Sequence, residues 1–283
     1  MQLQRLHEIF SAKLSDEVFS KLSEFIYHNY GIKMPPVKKI MLQGRLQRRL
    51  RELDITSFKE YVDYVFGPNG EDEVIHMMDV VSTNKTDFFR EPIHFEFLTT
   101  VVVPEFVSNN GKQSLKIWSA GCSSGEEPYT IAIVLSECKE KYPNLEFEIF
   151  ASDISTRTLQ NAIEAIYKEN RVEGIPLNIL KKYFLKSKDR TNPTVRLIPE
   201  IRRKVTYARI NLMDESYNVS DMFDVIFCRN VLIYFDRPTQ EKVINKLCTK
   251  LKNGGYFFLG HSESITGMIT PLKQLKPTIF TKL

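Results

Sequence analysis

A turn of small residues carries two carboxylates where a strand-like pattern gives way to a helix-like one. The apolar run 115–118 leads into Gly121 and Gly125, and Glu126 and Glu127 open the helical segment. Glycine permits positive φ and a close approach of the backbone to a ligand. The Gly-x-x-x-Gly spacing matches neither the dinucleotide fingerprint nor a phosphate loop with its Lys. Carboxylates repel a phosphate chain but suit a cofactor that has hydroxyls and a positive charge, such as S-adenosylmethionine. An ordinary loop whose carboxylates complement the helix dipole is the alternative.

A second strand-like run, 147–152, ends in the acid Asp153. This residue lies roughly 20–30 residues past the glycines, where an acid can accept hydrogen bonds from both ribose hydroxyls of an adenosine. Alternatively, Asp153 or Ser155 caps the following helix, and both roles can hold at once. The glycine turn and the strand-tip acid together favour a cofactor that contains a nucleoside.

The elements around these residues alternate between strand and helix, which is typical of a three-layer α/β domain. We expect strands at 115–119, 147–152, 224–228, 256–260 and 278–282, and helices at 127–140, 156–165 and 238–251. The runs 183–185, 194–198 and 204–211 predict short antiparallel strands, which would form a small β-subdomain at about 180–210. The resulting division is an all-helical domain over 1–80, a linker and connecting helix over 81–110, and a catalytic domain over 111–283.

One predicted N-terminal helix, 36–53, is strongly basic. Its apolar residues recur at helical spacing, and its polar faces carry Lys38, Arg45, Arg48 and Arg49 among other cations. A solvated basic face is the usual fate of such a run. The functional alternative is a docking surface for an acidic partner, because charge complementarity raises the encounter rate and fixes the register.

The composition excludes several classes of protein. The net charge of +4 over 283 residues leaves no dominant nucleic-acid footprint. The four cysteines, at 122, 138, 228 and 248, are widely spaced, which favours free thiols in a reducing cytoplasm and no metal centre. We find neither a signal-peptide core nor a run long enough to cross a bilayer. We therefore expect a cytoplasmic monomer without metal, nucleic acid or membrane insertion.

Three further segments, 83–91, 223–236 and 254–264, join 120–129 and 151–153 in an ordered set of motifs. This set closely resembles CheR, the family of bacterial chemoreceptor glutamate methyltransferases, from about residue 10 to the C-terminus. The resemblance implies a Rossmann-like S-adenosylmethionine-dependent methyltransferase domain with a small antiparallel β-subdomain, preceded by an all-α domain. It implies methyl transfer to glutamate carboxylates on the cytoplasmic methylation helices of chemoreceptors, with S-adenosylhomocysteine as product. It also favours docking of the basic helix on those receptor helices.

The resemblance further assigns site residues. Cofactor contacts are implied at Asn84, Thr86, Arg90, Glu127, Asp153, Asn211, Leu212, Asn230 and Val231, and the glycine turn adds Gly121. Arg90 and Tyr234 are implied to lie beside the transferable methyl group. For Arg90 the alternatives are an ion pair with Glu91 or a clamp on the cofactor carboxylate. Tyr234 is alternatively a half-buried aromatic, and Asn211 and Asn230 are alternatively turn formers.

The chemistry of a glutamate nucleophile agrees with this assignment. A carboxylate is ionised at neutral pH, so it needs no strong general base. The site must instead align the carboxylate with the methyl group, and the donors of Arg90 and Tyr234 suit that task. His261, in Gly260-His261-Ser262, is expected to form a turn and not to act as a base.

One loop departs from the family pattern. Some members recognise a receptor C-terminal pentapeptide through a Gly-rich loop of the β-subdomain, but the corresponding loop 187–193 contains no glycine. We therefore expect an enzyme that does not depend on such a tether.

Two other classes of function are alternatives. Nitrogen methyltransferases acting on nucleic acids commonly carry an Asn/Asp-Pro-Pro-aromatic motif after the fourth strand, and the segment 229–234 has no Pro-Pro. A non-catalytic cofactor sensor is disfavoured because Arg90, Tyr234 and the acidic cofactor positions are all present.

Overall fold

Five helices form the N-terminal part of the chain in a computed structural model that describes residues 2–110 and 113–283. They are α1 (Gln2–Ser11), α2 (Asp16–Tyr30), α3 (Lys39–Leu53), α4 (Phe58–Val65) and α5 (Glu71–Val81), with a 3₁₀ turn at Pro36–Lys38. The hydroxyls of Ser15 and Ser57 cap α2 and α4 by accepting backbone N–H groups. The apolar stripe of α3 is buried in a core that the five helices share. The predicted all-helical region is thus confirmed.

Two short helices connect this bundle to the rest of the chain. They are α6 (Ile93–Phe97) and α7 (Val103–Asn110), joined by a π-helical turn at Leu98–Val102. Phe95, Leu98 and Val103 belong to the same apolar core as Ile117 and Phe227 of the sheet described next. The connecting segment therefore packs against the α/β domain, although the division at residues 80 and 110 stays a prediction.

The α/β domain follows. Its described strands are β1 (Ser114–Ala120), β2 (Glu146–Asp153), β3 (Ile166–Lys168), β4 (Phe184–Lys186), β5 (Thr194–Leu197), β6 (Val205–Arg209), β7 (Phe223–Cys228), β8 (Leu251–Leu259), β9 (Leu272–Lys276) and β10 (Ile279–Lys282). Its described helices are α8 (Glu126–Cys138), α9 (Thr156–Glu164), α10 (Leu177–Tyr183), α11 (Pro199–Arg202) and α12 (Arg237–Cys248).

Seven of the described strands form one mixed sheet in the order β6-β2-β1-β7-β8-β10-β9. The first five run parallel, and β10 is antiparallel to both of its neighbours. Alternate residues of the central strands enter different cores, with Ile117 on one face of the sheet and Trp118 on the other. Because β1 lies between β2 and β7, the loops after these strands diverge to opposite sides and leave a crevice at their carboxyl ends. The predicted Rossmann-like architecture is confirmed.

The small antiparallel sheet is also present, but one of its predicted strands was wrong. It consists of β3, β5 and β4 in that order. The run 204–211 does not join it, because β6 pairs parallel with β2 at the edge of the main sheet. A short alternating pattern fixes which faces of a strand are buried, but it does not fix the partner strand or its direction.

No helix within the described ranges is both long and apolar enough to cross a membrane.

Candidate active site

A cavity of about 320 Å³ opens at the carboxyl ends of β1, β2 and β7. All ten predicted cofactor residues line it, together with Tyr234 and Lys38. Side chains of the N-terminal bundle close one side, namely Tyr30, Ile32, Met34 and Met41. The residues selected from the sequence are thus brought together at one place, between the helical bundle and the sheet.

The glycine turn after β1 is tied to the end of β2. The N–H groups of Gly121 and Cys122 both donate to the Ser152 carbonyl, at 2.7 and 2.9 Å. Gly121 has φ 88°, and a Cβ at this position would lie 2.3 Å from Cγ2 of Val231. Only glycine fits here without displacing a residue that lines the cavity.

The Asp153 carboxylate also holds the glycine turn in place. It accepts the Ser123 N–H at 2.8 Å and the Ser155 N–H at 3.0 Å. The hydroxyl of Ser155 caps α9 by accepting the Thr158 N–H, so Asp153 is not needed for capping. Each carboxylate oxygen retains a lone pair for a hydroxyl donor, as ribose recognition requires. Burial raises the pKa of Asp153, and the backbone N–H donors oppose this rise.

The segment that carries Asn84 and Thr86 is held by side chains from two other elements. The Ser123 hydroxyl donates to the Asn84 carbonyl at 3.0 Å, and the Arg171 guanidinium donates to the Thr86 carbonyl. Arg171 is in turn paired with the buried Glu126 at 2.7 Å. The first carboxylate of the glycine turn therefore supports this segment, while the second, Glu127, faces the cavity.

Glu127 lies in a buried charge network that sequence reasoning missed. Its carboxylate accepts the Ser119 hydroxyl at 2.7 Å and pairs with Arg229 Nη1 at 3.4 Å. Arg229 Nη2 pairs with the Glu91 carboxylate at 3.1 Å and also donates to the Arg90 carbonyl. The available signal was a cation placed directly after the apolar strand β7, because such a buried charge requires a partner.

Arg90 and Tyr234 reach the cavity with side chains that are still partly accessible. The Arg90 side chain is 34% exposed, and its Nη1 donates to the Lys85 carbonyl at 3.2 Å. Its Nε lies 4.0 Å from Glu91, which is too far for a hydrogen bond. The Tyr234 hydroxyl is 3.4 Å from the Thr83 carbonyl, at the limit of a hydrogen bond. Both side chains thus retain donors that can turn toward a substrate.

The two predicted Asn residues also form turns, as the alternative interpretation expected. The Asn211 side chain accepts the Met213 N–H at 3.0 Å and donates to the Asn29 carbonyl of α2 at 2.8 Å. Asn230 has φ 59°, and its N–H donates to the Glu263 carboxylate at 2.9 Å. Both residues and their neighbours Leu212 and Val231 line the cavity, so turn formation and cofactor contact are compatible here.

Backbone strain collects around the cavity. Phe89, Glu91, Ser123 and Asn230 are non-glycine residues with φ between 50° and 59°. Such conformations persist where surrounding contacts over-determine them, which is common at functional sites. Around Asn230 those contacts come from Glu263, whose buried carboxylate also accepts the N–H groups of Leu232 and Gly260. The turn at His261, predicted from the sequence, is confirmed by the hydrogen bond from Glu263 N–H to the Gly260 carbonyl.

The four predicted docking cations have different environments. Arg49 forms a two-pronged ion pair with Glu73, whose side chain is 2% exposed. Arg45 donates to the carbonyls of Val81 and Ser82, which end the helical bundle. Arg48 is exposed, and Lys38 lies at the cavity. Two of the four thus have structural contacts within the chain, and two face outward or toward the site.

Glu91, His94 and His261 place one carboxylate and two imidazoles within 4.8 Å of one another. The Arg229 guanidinium already compensates the charge of Glu91. Burial and the positive charge of Arg229 lower the pKa of His94 to about 4. The carboxylate of this cluster is therefore already paired with a cation of the chain, and the absence of a metal stays a prediction.

Comparisons with known proteins match nearly the whole chain. The family model described as CheR methyltransferase, all-alpha domain matches residues 17–82, and CheR methyltransferase, SAM binding domain matches residues 84–281. A chemotaxis protein methyltransferase of Borreliella burgdorferi is 38% identical over 274 residues, which are 95% of this chain and 95% of that protein. Chemotaxis protein methyltransferases of Salmonella typhimurium and Escherichia coli are 34% and 35% identical. Those two alignments cover 94% and 89% of this chain, and 90% and 86% of the relatives.

Proposed function

Because the chain belongs to the CheR methyltransferase family, whose S-adenosylmethionine-dependent chemistry it shares, we propose that it methylates glutamate side chains of bacterial chemoreceptors. The products are glutamate methyl esters and S-adenosylhomocysteine, and the reaction serves chemotactic adaptation. The observation that carries this proposal is the cavity itself, which combines acidic cofactor positions with the two donors Arg90 and Tyr234. The donors of Arg90 and Tyr234 suit a methyl acceptor that is already anionic.

The residues present fit S-adenosylmethionine. Asp153 would bind the ribose hydroxyls, and Glu127 would provide negative charge for the positively charged half of the cofactor. The segments at Asn211-Leu212 and Asn230-Val231 would hold the adenine, and Asn84, Thr86 and Gly121, which line the same cavity, would complete the contacts. The cofactor supplies an electrophilic methyl group on a sulfonium.

Catalysis in this proposal depends on positioning and not on proton transfer. The glutamate carboxylate is ionised at neutral pH, so a base is not required. Arg90 grips the carboxylate through paired N–H donors, and Tyr234 fixes its orientation with one hydrogen bond. Alignment of this kind contributes roughly 7–11 kcal/mol of barrier reduction. Side chains of the N-terminal bundle cover one side of the cavity and limit the access of water there.

The receptor helix docks beside the cavity, on a surface formed by α3 and the 3₁₀ turn before it. Arg48 of α3 is exposed, and Val37 in the turn and Ile40 at the start of α3 are 84% and 83% exposed. With Lys38 at the cavity, this surface offers both positive charge and apolar area to an amphipathic acidic helix. Arg45 and Arg49 support the surface from within through their internal contacts.

A pair of variants tests the docking surface. Arg48→Glu is expected to raise the receptor KM severalfold and to leave cofactor affinity unchanged, because it reverses an outward charge. Lys21→Glu on α2 is the matched control, since that side chain is also exposed. An equal effect of both variants, or no effect of either, contradicts docking at α3.

Receptor binding does not depend on a C-terminal pentapeptide. The loop 187–193 is closed by its own side chains, with the Asp189 carboxylate accepting the Thr191 N–H and hydroxyl at 2.8 and 2.7 Å. Measurable binding to an immobilised receptor C-terminal peptide at micromolar concentration refutes this part of the proposal. The enzyme acts in the cytoplasm and as a monomer. Sedimentation at several protein concentrations tests the monomeric state.

The main test is transfer of a labelled methyl group from S-adenosylmethionine to a chemoreceptor cytoplasmic fragment, followed by mild alkali. Volatile label released as methanol is expected, because carboxyl methyl esters hydrolyse under these conditions. Label that stays on the protein contradicts the proposal and moves the chemistry to nitrogen. Loss of transfer in Arg90→Ala, with cofactor affinity retained, separates the alignment role of Arg90 from a clamp on the cofactor carboxylate.

A further inference from the structure

We propose that Arg229 is a positioning residue, which keeps Glu127 ionised and oriented toward the cofactor and sets the path of the Arg90 turn. This inference rests on the proposed cofactor contact of Glu127. Arg229 itself is not assigned a contact with the reacting atoms. It acts through the two groups that it holds.

The guanidinium of Arg229 is fixed on several sides. Its side chain is only 2% exposed, and it lies between the carboxylates of Glu91 and Glu127. A third contact is the bond to the Arg90 carbonyl, and the ring of Phe95 lies against the guanidinium with the centroid 5.5 Å away. The planar fork of an arginine can satisfy these directions together, whereas an ammonium acts as a point charge.

The positive charge of Arg229 affects the protonation of the two carboxylates that it contacts, Glu91 and Glu127. Without Arg229, the partly buried carboxylates of Glu91 and Glu127 would lie close together with no cation between them, which favours uptake of a proton by one of them. Burial raises the pKa of Glu127, while Arg229 and the Ser119 hydroxyl oppose this rise. Glu127 also faces the charges of Arg90 and Glu91, and the thiols of Cys122 and Cys228. Because Arg90 is one-third exposed and Arg229 is buried, Arg229 provides the more weakly screened positive charge.

The third contact couples this charge network to the alignment of the acceptor. Arg90 lies between Phe89 and Glu91, whose φ values are 54° and 58°. A turn with two left-handed residues needs external support, and Arg229 supplies it at the Arg90 carbonyl and the Glu91 side chain. A single buried cation thus links cofactor recognition to the position of the residue proposed to grip the substrate.

The test is the pH profile of cofactor affinity, measured by calorimetry with S-adenosylhomocysteine and S-adenosylmethionine on the full chain. Arg229→Gln removes the charge, and Arg229→Lys keeps it. We expect the Gln variant to bind S-adenosylmethionine more weakly than the wild-type chain, by roughly tenfold for each unit by which the raised pKa of Glu127 exceeds the pH. Affinity should recover as the pH increases, because Glu127 then ionises. The Lys variant should retain the wild-type pH profile.

Several outcomes separate the possibilities. An equal loss of affinity at every pH in the Gln variant would mean a structural role only and would overturn the inference. A Lys variant with the pH profile of the Gln variant would also overturn it. Glu127→Gln should abolish the pH-dependent part of the cofactor affinity, both in the wild-type chain and in the Arg229→Gln chain. This keeps the inference testable if Arg229→Gln folds poorly. Failure of the wild-type chain to bind either ligand would instead refute the cofactor site.

Discussion

Replacement of Gly121 by alanine should close the cofactor cavity from inside. The left-handed backbone, with φ 88°, costs an alanine about 1–2 kcal/mol. In addition, the new Cβ would lie 2.3 Å from Cγ2 of Val231, so this side chain, which lines the cavity, must be displaced. Overpacking of this kind costs typically about 1–3 kcal/mol. If cofactor binding must reverse the displacement, affinity falls roughly 5- to 150-fold.

Two further variants isolate the steric part of this effect. Gly254→Ala carries a similar backbone cost, because its φ is 75°, but its Cβ would meet nothing within 4 Å. It should lose stability without losing cofactor affinity. In the double variant Gly121→Ala/Val231→Ala, the offending Cγ2 is absent and the nearest remaining atom of residue 231 is its Cβ, at 3.5 Å. Cofactor affinity should then return to that of the Val231→Ala single variant, while the backbone cost remains.

Calorimetric titration with S-adenosylhomocysteine, together with urea denaturation, measures both quantities. If Gly121→Ala binds like the wild-type chain, the cavity at Val231 is not the cofactor site. If the double variant binds no better than Gly121→Ala, the loss does not come from the contact with Val231, and the steric reasoning is refuted.

The remaining predictions concern the buried charges. Arg49→Ala should lower the free energy of unfolding by about 3–5 kcal/mol, because the buried Glu73 loses its cation and keeps only the hydrogen bond from the Tyr61 hydroxyl. Arg48→Ala should change it by less than about 0.5 kcal/mol, and urea denaturation compares the two. Asp153→Asn should weaken cofactor binding by roughly 10- to 100-fold in calorimetry, since an amide cannot replace both carboxylate acceptors. The pKa of His94 is about 4 in the folded chain, against 6.5 in the unfolded chain. The contribution of the neutral His94 to the free energy of unfolding is therefore fully present above pH 6.5, and about 3 kcal/mol is lost as the pH decreases through 4. His94→Gln should flatten that part of the stability profile, and an unchanged slope would contradict it.

The parts of the fold that could be predicted depend on local patterns. Local residues determine three of these features, namely the glycine turn, the acid at the end of β2 and the capped helices. In each case the residues involved lie close together in the sequence. The pairing of β6 could not be predicted in this way, because its partner β2 is separated from it by three helices and the small sheet. The edge strand β9 was likewise missed, since it carries almost no buried residues.

Long-range charge pairing limited the prediction of the site. Glu91 and Arg229 are 138 positions apart, and neither charge alone indicates which partner the fold will bring to it. The same holds for Arg49, whose partner Glu73 lies 24 positions away on a different helix. A basic stripe therefore includes structural cations as well as docking cations, and only the tertiary structure separates them.

Tandem mass spectrometry of a chemoreceptor cytoplasmic fragment, after incubation with the enzyme and S-adenosylmethionine, is the most direct test of methyl transfer to glutamate. The expected result is a methyl group on glutamate side chains, which is absent when Arg90→Ala replaces the wild-type enzyme. A methyl group located on a nitrogen-containing side chain, or an equal yield from the Arg90→Ala enzyme, would contradict it.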